Sequence, residues 1–460
     1  DPMTLRLGLV CLVALLHAAI YIVHQQPDWA TEWTDQVGYK RLGAVLAETG
    51  QFTRYPDSPA FVPEVIRTPG YPIFVAAVYK LFGLDNTLAV VVAQSFVFAG
   101  VCLLVFATAR QLLSEKGALV AALATACFSP FPYFGALVVT ELWATFLLTA
   151  AVWMTFRARA SNSVWRAIIA GLLVAATSLT RPVFILFPVA LFGMAAIVDR
   201  FRHWKLWVIA TAMAGLGVLP WFAYNYTYLG RFTLSPAGGV GRAMWEGSWQ
   251  GHWSGRLHNQ LTQTADRMSE RAALDAEVMR LAAEATHDPA PMLEYVHQWQ
   301  DIRRIWTEPV DSKERAIARS LADTVYLRVG LENIRRDPAG HVVRRLTYGV
   351  FVMWASHIPY RHSEINHLPT AVIRAIWIVQ AAILVLAIAG AIRALRTTRW
   401  REGWLLLTPG LYVTAVHLPL LTEPRESLPA MPVMLILATA GASDIFYGHH
   451  RATSLEIAGP

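Results

Sequence analysis

The feature that most constrains this chain is a series of apolar runs separated by short basic linkers. The runs lie at about 5–23, 86–111, 117–134, 137–156, 165–180, 183–198, 205–224, 369–392, 403–421 and 428–447. The first, Leu5–Val23, has 19 residues and contains one His. As a helix it rises about 28 Å, close to the hydrocarbon thickness of a bilayer. No small-residue cleavage site follows, so it reads as a retained span. Composition agrees: 55% of the 460 residues are hydrophobic and only 15% charged, against roughly a quarter charged in soluble domains. The chain is therefore expected to be an all-α polytopic membrane protein of about ten transmembrane helices. The three cysteines, Cys11, Cys102 and Cys127, all sit in apolar runs. They are expected as buried small hydrophobes rather than a disulfide framework.

The charge pattern orients the spans. Arg and Lys concentrate in "RQLLSEKG" (110–117), "FRARASNSVWR" (156–166), "DRFRHWK" (199–205), "RALRTTRWREG" (393–403) and "GHHRATS" (448–454). Placing all of these in the cytoplasm satisfies the positive-inside rule with both termini inside. The net charge of +7 then reports topology, and no nucleic-acid partner is implied. A transmembrane module over 4–224, including a first outer loop at 24–85, precedes an outer, mostly helical region at 225–368. C-terminal transmembrane helices at 369–448 and a cytoplasmic tail at 449–460 complete the chain. Residues 36–48 read as an amphipathic interfacial helix. "PGYPIFVAAVYKLFG" (69–83), too short to span comfortably, reads as a second interfacial or re-entrant one. Helical spacing with opposite charges four apart marks 264–285 and 313–336. Residues 341–355 read as interfacial.

The outer face gathers the residues that chemistry can use. In "TEWTDQVGYKRLGAVLAETGQF" (31–52), Glu32, Asp35 and Tyr39 can share a helix face. Asp35 suits a general base beside the membrane, and it equally suits the cap of a helix start. Glu48 lies more than three turns along, on the solvated face. Glu141, in "VVTELWATFLL", is an acid inside a hydrophobic run and so a site candidate; a residue reaching headgroup water is the alternative. Arg67, Arg181 and Arg425 stand at the outer end of three distant segments. Together they suit a phosphate at headgroup depth; singly, each suits snorkelling. "GGVGRAMWEGSWQGHW" (238–253) holds five glycines and three Trp. It suits stacking on a sugar or lipid, or an interfacial Trp anchor with flexible turns.

His357, His362 and His367 are spaced five apart, matching neither a helix face nor a zinc signature. No P-loop, GxSxG or HExxH motif is present, and the Gly-rich stretch follows a span rather than a Rossmann strand.

Four stretches resemble the GT-C superfamily of membrane glycosyltransferases that use polyprenyl-phosphate-linked sugars. The likeness is to the branch of protein O-mannosyltransferase-like and aminoarabinose-transferase-like enzymes. "TDQVGYKRLGAVLAETGQF" resembles the Asp-x-x-x-Tyr helix of the first outer loop. "RTPGYPIFVAAVYKLFG" is similar to the Arg-x-Pro-Gly-Tyr-Pro motif, "TELWATFLL" to the acidic start of a later span, and "GVGRAMWEGS" to a Gly-x-x-x-Trp-x-Gly turn. The resemblance covers about 5–445 and implies a GT-C-like bundle with periplasmic interfacial helices.

It implies an inverting transfer with Asp35 as general base. Substrate contacts would come from Glu32, Tyr39, Arg67, Tyr71, Glu141, Arg181, Trp245 and Arg425. The donor would be a polyprenyl-phosphate sugar, and the acceptor a lipid or glycan, with protein as a further class. Membrane lipids are the other partners. No tightly bound cofactor is implied, and a metal is not obviously required, since cationic side chains can neutralise a leaving phosphate. The location implied is the bacterial inner membrane, with the site facing the periplasm. Two positions depart from the pattern: Glu426 follows Arg425 where relatives often have Tyr, and Ala243 stands where they often have Asn. The rival reading is a non-catalytic lipid or glycan transporter or flippase. Transporters usually show inverted repeats and helices broken at mid-membrane, whereas here the polar residues gather on one face.

Overall fold

The computed structural model describes residues 2–29, 34–356 and 368–442. Among them there is no β-strand. The elements in chain order begin with α1 (Pro2–Gln25), α2 (Thr34–Thr49), α3 (Gly70–Phe82), α4 (Thr87–Ala109), α5 (Glu115–Ala126), α6 (Pro130–Gly135), α7 (Glu141–Ser161), α8 (Val164–Thr180), α9 (Phe187–Val198) and α10 (Trp204–Leu229). The outer region follows as α11 (Val240–Trp249), α12 (Gly255–Arg267), α13 (Arg271–Ala285), α14 (Pro289–Thr307), α15 (Lys313–Arg336), α16 (Pro338–Arg344) and α17 (Val350–Trp354). Then come α18 (Thr370–Arg396), α19 (Trp400–His417) and a last helix, α20, over 431–442.

Within the described residues, each predicted apolar run is mostly helical. By length and composition alone, α1, α4, α10 and α18 are sufficient to cross a membrane. The boundaries moved where proline or a polar cap intervenes. The run at 117–134 breaks after Ala126, and α6 restarts with Pro130 in its first turn, where the missing N–H costs nothing. The run at 183–198 opens as a tight 3-10 turn, Pro182–Leu186. Asn86, Ser114 and Ser163 cap α4, α5 and α8 through their side-chain oxygens, which satisfies amide groups that an apolar surround would leave orphaned. Residues 338–354 form one nearly continuous helical stretch with a π-turn at Arg345–Gly349.

Helix α7 runs through the middle of the bundle, packed by α4 and α8. Its buried Thr145, Thr149 and Thr155 return their hydroxyls to the carbonyls four residues back at 2.7–2.8 Å. Polar atoms there are thus satisfied without water. The outermost helices show the opposite pattern. Leu5, Leu9, Leu12, Leu16 and Ile20 of α1 are exposed, while Val10, Ala14 and Ala18 face inward. Small residues set the closest approach: a Cβ on Gly390 would lie 1.9 Å from the Leu437 carbonyl oxygen, and one on Gly441 2.1 Å from that of Leu386. Backbone-to-backbone contact of this kind drives association where no hydrophobic effect operates. Cys102 is buried as expected, whereas Cys127, at the α5 end, is exposed.

Helices α11–α15 form a subdomain with its own core of Trp245, Trp249, Trp253, Leu261, Val278 and Tyr295. Its attachment to the bundle runs through Arg345, which is fully buried. This guanidinium donates to the Leu418 carbonyl at 2.6 Å and to Gln250 Oε1 at 2.6 Å, and the same Gln250 oxygen accepts from Thr422 N at 3.0 Å. Leu421 N donates to the Ala243 carbonyl at 2.8 Å. The turn that precedes Arg425 is thereby fixed to α11, and at Ala243 it is the main chain that makes the contact.

This subdomain should be acid-sensitive. Burial beside Tyr295 pushes His258 down to about 4, and burial with the nearby Arg345 and Arg344 does the same to His341 in the adjoining α16. Both stay neutral in the fold while the unfolded chain takes up protons below about pH 6.5. Their contribution is therefore complete above that pH and declines as pH falls toward 4, by on the order of 2 kcal/mol per histidine. Hydrogen–deuterium exchange over 255–307 should accelerate between pH 7 and pH 4.5 after correction for intrinsic rates. Corrected rates that do not change would refute it.

Candidate active site

Helices α2 and α3 pack on each other at one end of the bundle, and their contact positions Asp35. It sits in the first turn of α2, half-exposed, and its Oδ1 accepts from Arg67 Nη2 at 3.3 Å. Arg67 itself is buried. Its guanidinium lies over the Tyr39 ring at 4.9 Å, a cation–π contact. Tyr39 meets Tyr71 edge-on at 5.1 Å. The Tyr71 hydroxyl donates to Gln94 Oε1 at 2.8 Å, and the Gln94 amide donates in turn to the Gly135 and Leu137 carbonyls. The Asp-x-x-x-Tyr and Arg-x-Pro-Gly-Tyr-Pro stretches are thus one construction, in which Tyr71 is wholly buried and acts as a support.

Two residues that sequence reasoning passed over hold Arg67 in place. Glu64, also buried, accepts from the Ile66 and Arg67 amides at 2.8 and 3.1 Å and from Arg54 Nε at 2.6 Å. Gly38 makes room: a Cβ there would fall 2.2 Å from Arg67 Cζ. The glycine between Asp35 and Tyr39 lets the guanidinium lie flat on α2. The signal was visible in "DQVGY", but its purpose depends on a residue 29 positions later.

A second group adjoins the first. Glu141, buried at the start of α7, lies 3.9 Å from Arg181 Nη1 and 3.8 Å from Arg425 Nη1. Arg181 also pairs with Glu426 through Nη2, and His417 Nε2 is 3.2 Å from the same carboxylate. Arg425 Nε reaches Glu423 at 2.5 Å. Burial alone would raise the Glu426 carboxyl, yet Arg181, His417 and Arg425 together hold it well below the usual range. Burial would likewise lower Arg425, but Glu423, Glu426, Glu141 and Asp35 hold it above its ordinary value. Asp35 is therefore within electrostatic reach of Arg425, as Glu141 and Arg181 are of Tyr39. The chain also closes here through Thr68, whose hydroxyl faces the Thr180 carbonyl at 3.4 Å, so the segments carrying Arg67 and Arg181 abut.

Asp35, Tyr39, Arg67, Tyr71, Glu141, Arg181 and Arg425 thus converge from five segments, though the arginines arrive already engaged by carboxylates. Glu426, met in the sequence only as a departure from a motif, is the anchor that pairs with Arg181. Trp245 does not join them. It is fully buried in the α11–α15 subdomain, stacked on Tyr295 at 5.7 Å, with its N–H given to Gln298 at 2.5 Å, and leaves no surface for a ligand. The stretch 238–253 serves packing instead of a stacking platform. Glu48 is exposed. Glu32, His357, His362 and His367 lie outside the described residues.

Residues 66–225 match the family model described as dolichyl-phosphate-mannose-protein mannosyltransferase. That window holds Arg67, Tyr71, Glu141 and Arg181, and stops short of Asp35 and Arg425. The archaeal oligosaccharyltransferase AglB from Archaeoglobus fulgidus, in complex with an inhibitory peptide and a dolichol-phosphate, superposes with a TM-score of 0.54 at 14% identity, over 98% of this chain and 52% of that one. The chain has the GT-C fold.

The apo form of the Archaeoglobus fulgidus enzyme gives a TM-score of 0.52 at 14% identity, with the same coverage. The chain spans about half the length of those oligosaccharyltransferases. ArnT from Cupriavidus metallidurans, bound to undecaprenyl phosphate, is a more distant likeness, with a TM-score of 0.41 at 14% identity over 96% of this chain and 79% of that one. No curated protein matches by sequence.

Proposed function

We propose that this chain is an inverting glycosyltransferase that moves a monosaccharide from a polyprenyl-phosphate donor to a lipid or glycan acceptor, with protein as a further acceptor class. The observation that carries this reading is the juxtaposition of a half-exposed carboxylate, Asp35, with the buried Arg67 and the partly buried Arg181 and Arg425 at one end of a GT-C bundle. Asp35 takes the proton of the acceptor hydroxyl, whose oxygen bonds to the anomeric carbon. The bond from that carbon to the phosphate oxygen breaks, and polyprenyl phosphate leaves with the electron pair. The departing phosphate monoester gains negative charge, which preorganised guanidiniums stabilise. Among the described residues Arg181 Nη1 is buried with no hydrogen-bond acceptor, the Glu141 carboxylate being 3.9 Å from it, so it has a bond to give to a phosphate oxygen. The other arginines would exchange a carboxylate contact for a phosphate one. The family match to dolichyl-phosphate-mannose-dependent enzymes supports the donor class.

Purified protein in nanodiscs, supplied with polyprenyl-phosphate hexoses and pentoses and an envelope-lipid extract, should transfer sugar and release polyprenyl phosphate. Arg181→Ala should weaken donor binding by about 10-fold or more, as loss of a charge-assisted hydrogen bond does. Unchanged donor affinity in Arg181→Ala and Arg425→Ala alike would remove the phosphate role.

We place the site on the periplasmic face of a bacterial inner membrane, on the strength of the basic linkers. A cysteine introduced at residue 260 should react with an impermeant reagent in intact spheroplasts, and one at 397 should not. Labelling of 397 would invert the arrangement.

A further inference from the structure

A cavity of about 570 Å³ opens at the end of the bundle opposite Asp35. Arg159 on its wall lies eighteen residues beyond Glu141 on α7, about 27 Å away at helical rise. The cavity lies between the C-terminal end of α7, the α9–α10 turn and the start of α19, with Gln111 at its edge. At its base, Arg159 donates to Asp199 Oδ1 at 2.6 Å and to Glu402 Oε1 at 2.9 Å. That triad uses up both carboxylates' nearest cation and leaves Arg200, Arg202 and Arg401 around the opening. Four arginines face two carboxylates, an excess of positive charge.

Two buried atoms remain unanswered there. Asp199 Oδ2 and Arg401 Nε have no hydrogen-bonding partner among the described residues, a costly state for buried polar groups. One needs a donor and the other an acceptor. The turn that builds this wall is itself held in an unfavourable conformation, with Arg200 and Phe201 both at positive φ, 52° and 60°. Neither is a glycine, so the conformation carries a cost. In the same turn, beside the lining residues, Phe201 and Trp204 are exposed, the aromatic signature of a membrane–water interface.

We propose that this cavity binds a phosphate ester that also carries a hydrogen-bond donor, with the headgroup of an anionic glycerophospholipid as its source. The phosphate answers Arg401, a headgroup hydroxyl answers Asp199, and the acyl chains leave past the exposed aromatics. Basic pockets between helices at headgroup depth recognise anionic lipids in this way.

Native mass spectrometry of the full chain, released from nanodiscs of defined composition, tests it. Phosphatidylglycerol should be retained over phosphatidylcholine. Arg202→Gln and Arg401→Gln should each lower that retention about fivefold, and Lys116→Gln, an exposed cation outside the cavity, should leave it unchanged. Arg202 is exposed, so its replacement does not endanger the fold, and size-exclusion elution checks both variants. Saturable binding of soluble glycerol 3-phosphate that needs Arg202 and Arg401, without discrimination between the two lipids, would keep the phosphate-ester site and assign it a soluble ligand. Equal retention of both lipids with no glycerol phosphate binding would overturn the proposal. So would an equal loss in Lys116→Gln.

Discussion

Asp35→Asn is expected to abolish sugar transfer, lowering kcat by about 10²–10⁴-fold, the range a positioned general base supplies, with the protein still folded and still binding donor. The substitution separates the two readings open for this residue. Asn caps a helix as well as Asp does, so a residue needed only to start α2 would tolerate the change. A base would not, because the amide oxygen cannot accept the acceptor's proton. The side chain also accepts from Arg67 Nη2 at 3.3 Å, and an amide oxygen can keep that bond. Donor affinity measured on the variant should therefore stay within a few-fold of the parent. Substantial retained turnover would remove Asp35 as the base.

Gly38→Ala should nearly match that effect without touching any ionisable group. The added methyl would stand 2.2 Å from Arg67 Cζ and 2.4 Å from Nη1, far inside contact distance. An arginine on the surface would swing away at little cost. Arg67 cannot do so easily, being buried between the Tyr39 ring, 4.9 Å off, and Asp35. A displacement of about 1 Å at a catalytic pair is enough to cost around 100-fold in rate. Thermal stability should fall as well, since a buried guanidinium must shift to admit the methyl. The double variant Gly38→Ala/Arg67→Ala should be no worse than Arg67→Ala alone, because both changes act on one interaction. Additive losses in the double variant would show that Gly38 matters for some other reason, such as α2 packing.

The network around Glu141 explains how a bundle built for a low-dielectric surround holds so many charges. Arg181, Arg425, Glu141, Glu423, Glu426 and His417 form a chain of pairs in which each buried ion has an opposite neighbour. Breaking a buried pair leaves an uncompensated charge, so the network resists deletion of single members. It is also poised: with Arg181 Nη1 lacking an acceptor among the described residues, an incoming phosphate would meet a donor already desolvated.

Much of this protein was legible in its residues alone. The apolar runs determined that the chain is helical and apolar enough to span a membrane, because a bilayer permits few other solutions for a backbone that must satisfy its own hydrogen bonds. Asp35, Tyr39, Arg67, Glu141, Arg181 and Arg425 were visible as polar residues at one end of those runs, since charge near a bilayer is costly and stands out. What residue type cannot show is which polar group meets which. The pairing of Arg181 with Glu426, the clearance at Gly38, the hold of Glu64 on Arg67 and the hold of Arg345 on Leu418 join positions from three to about 245 residues apart. Trp245 went the other way: interfacial by composition, it became a core residue because α12–α15 fold over it. The sequence by itself determined the helices and the stock of charges. Tertiary structure alone decided the partners of each charge, because an ion pair depends on distances of a few ångströms that only the packed helices set.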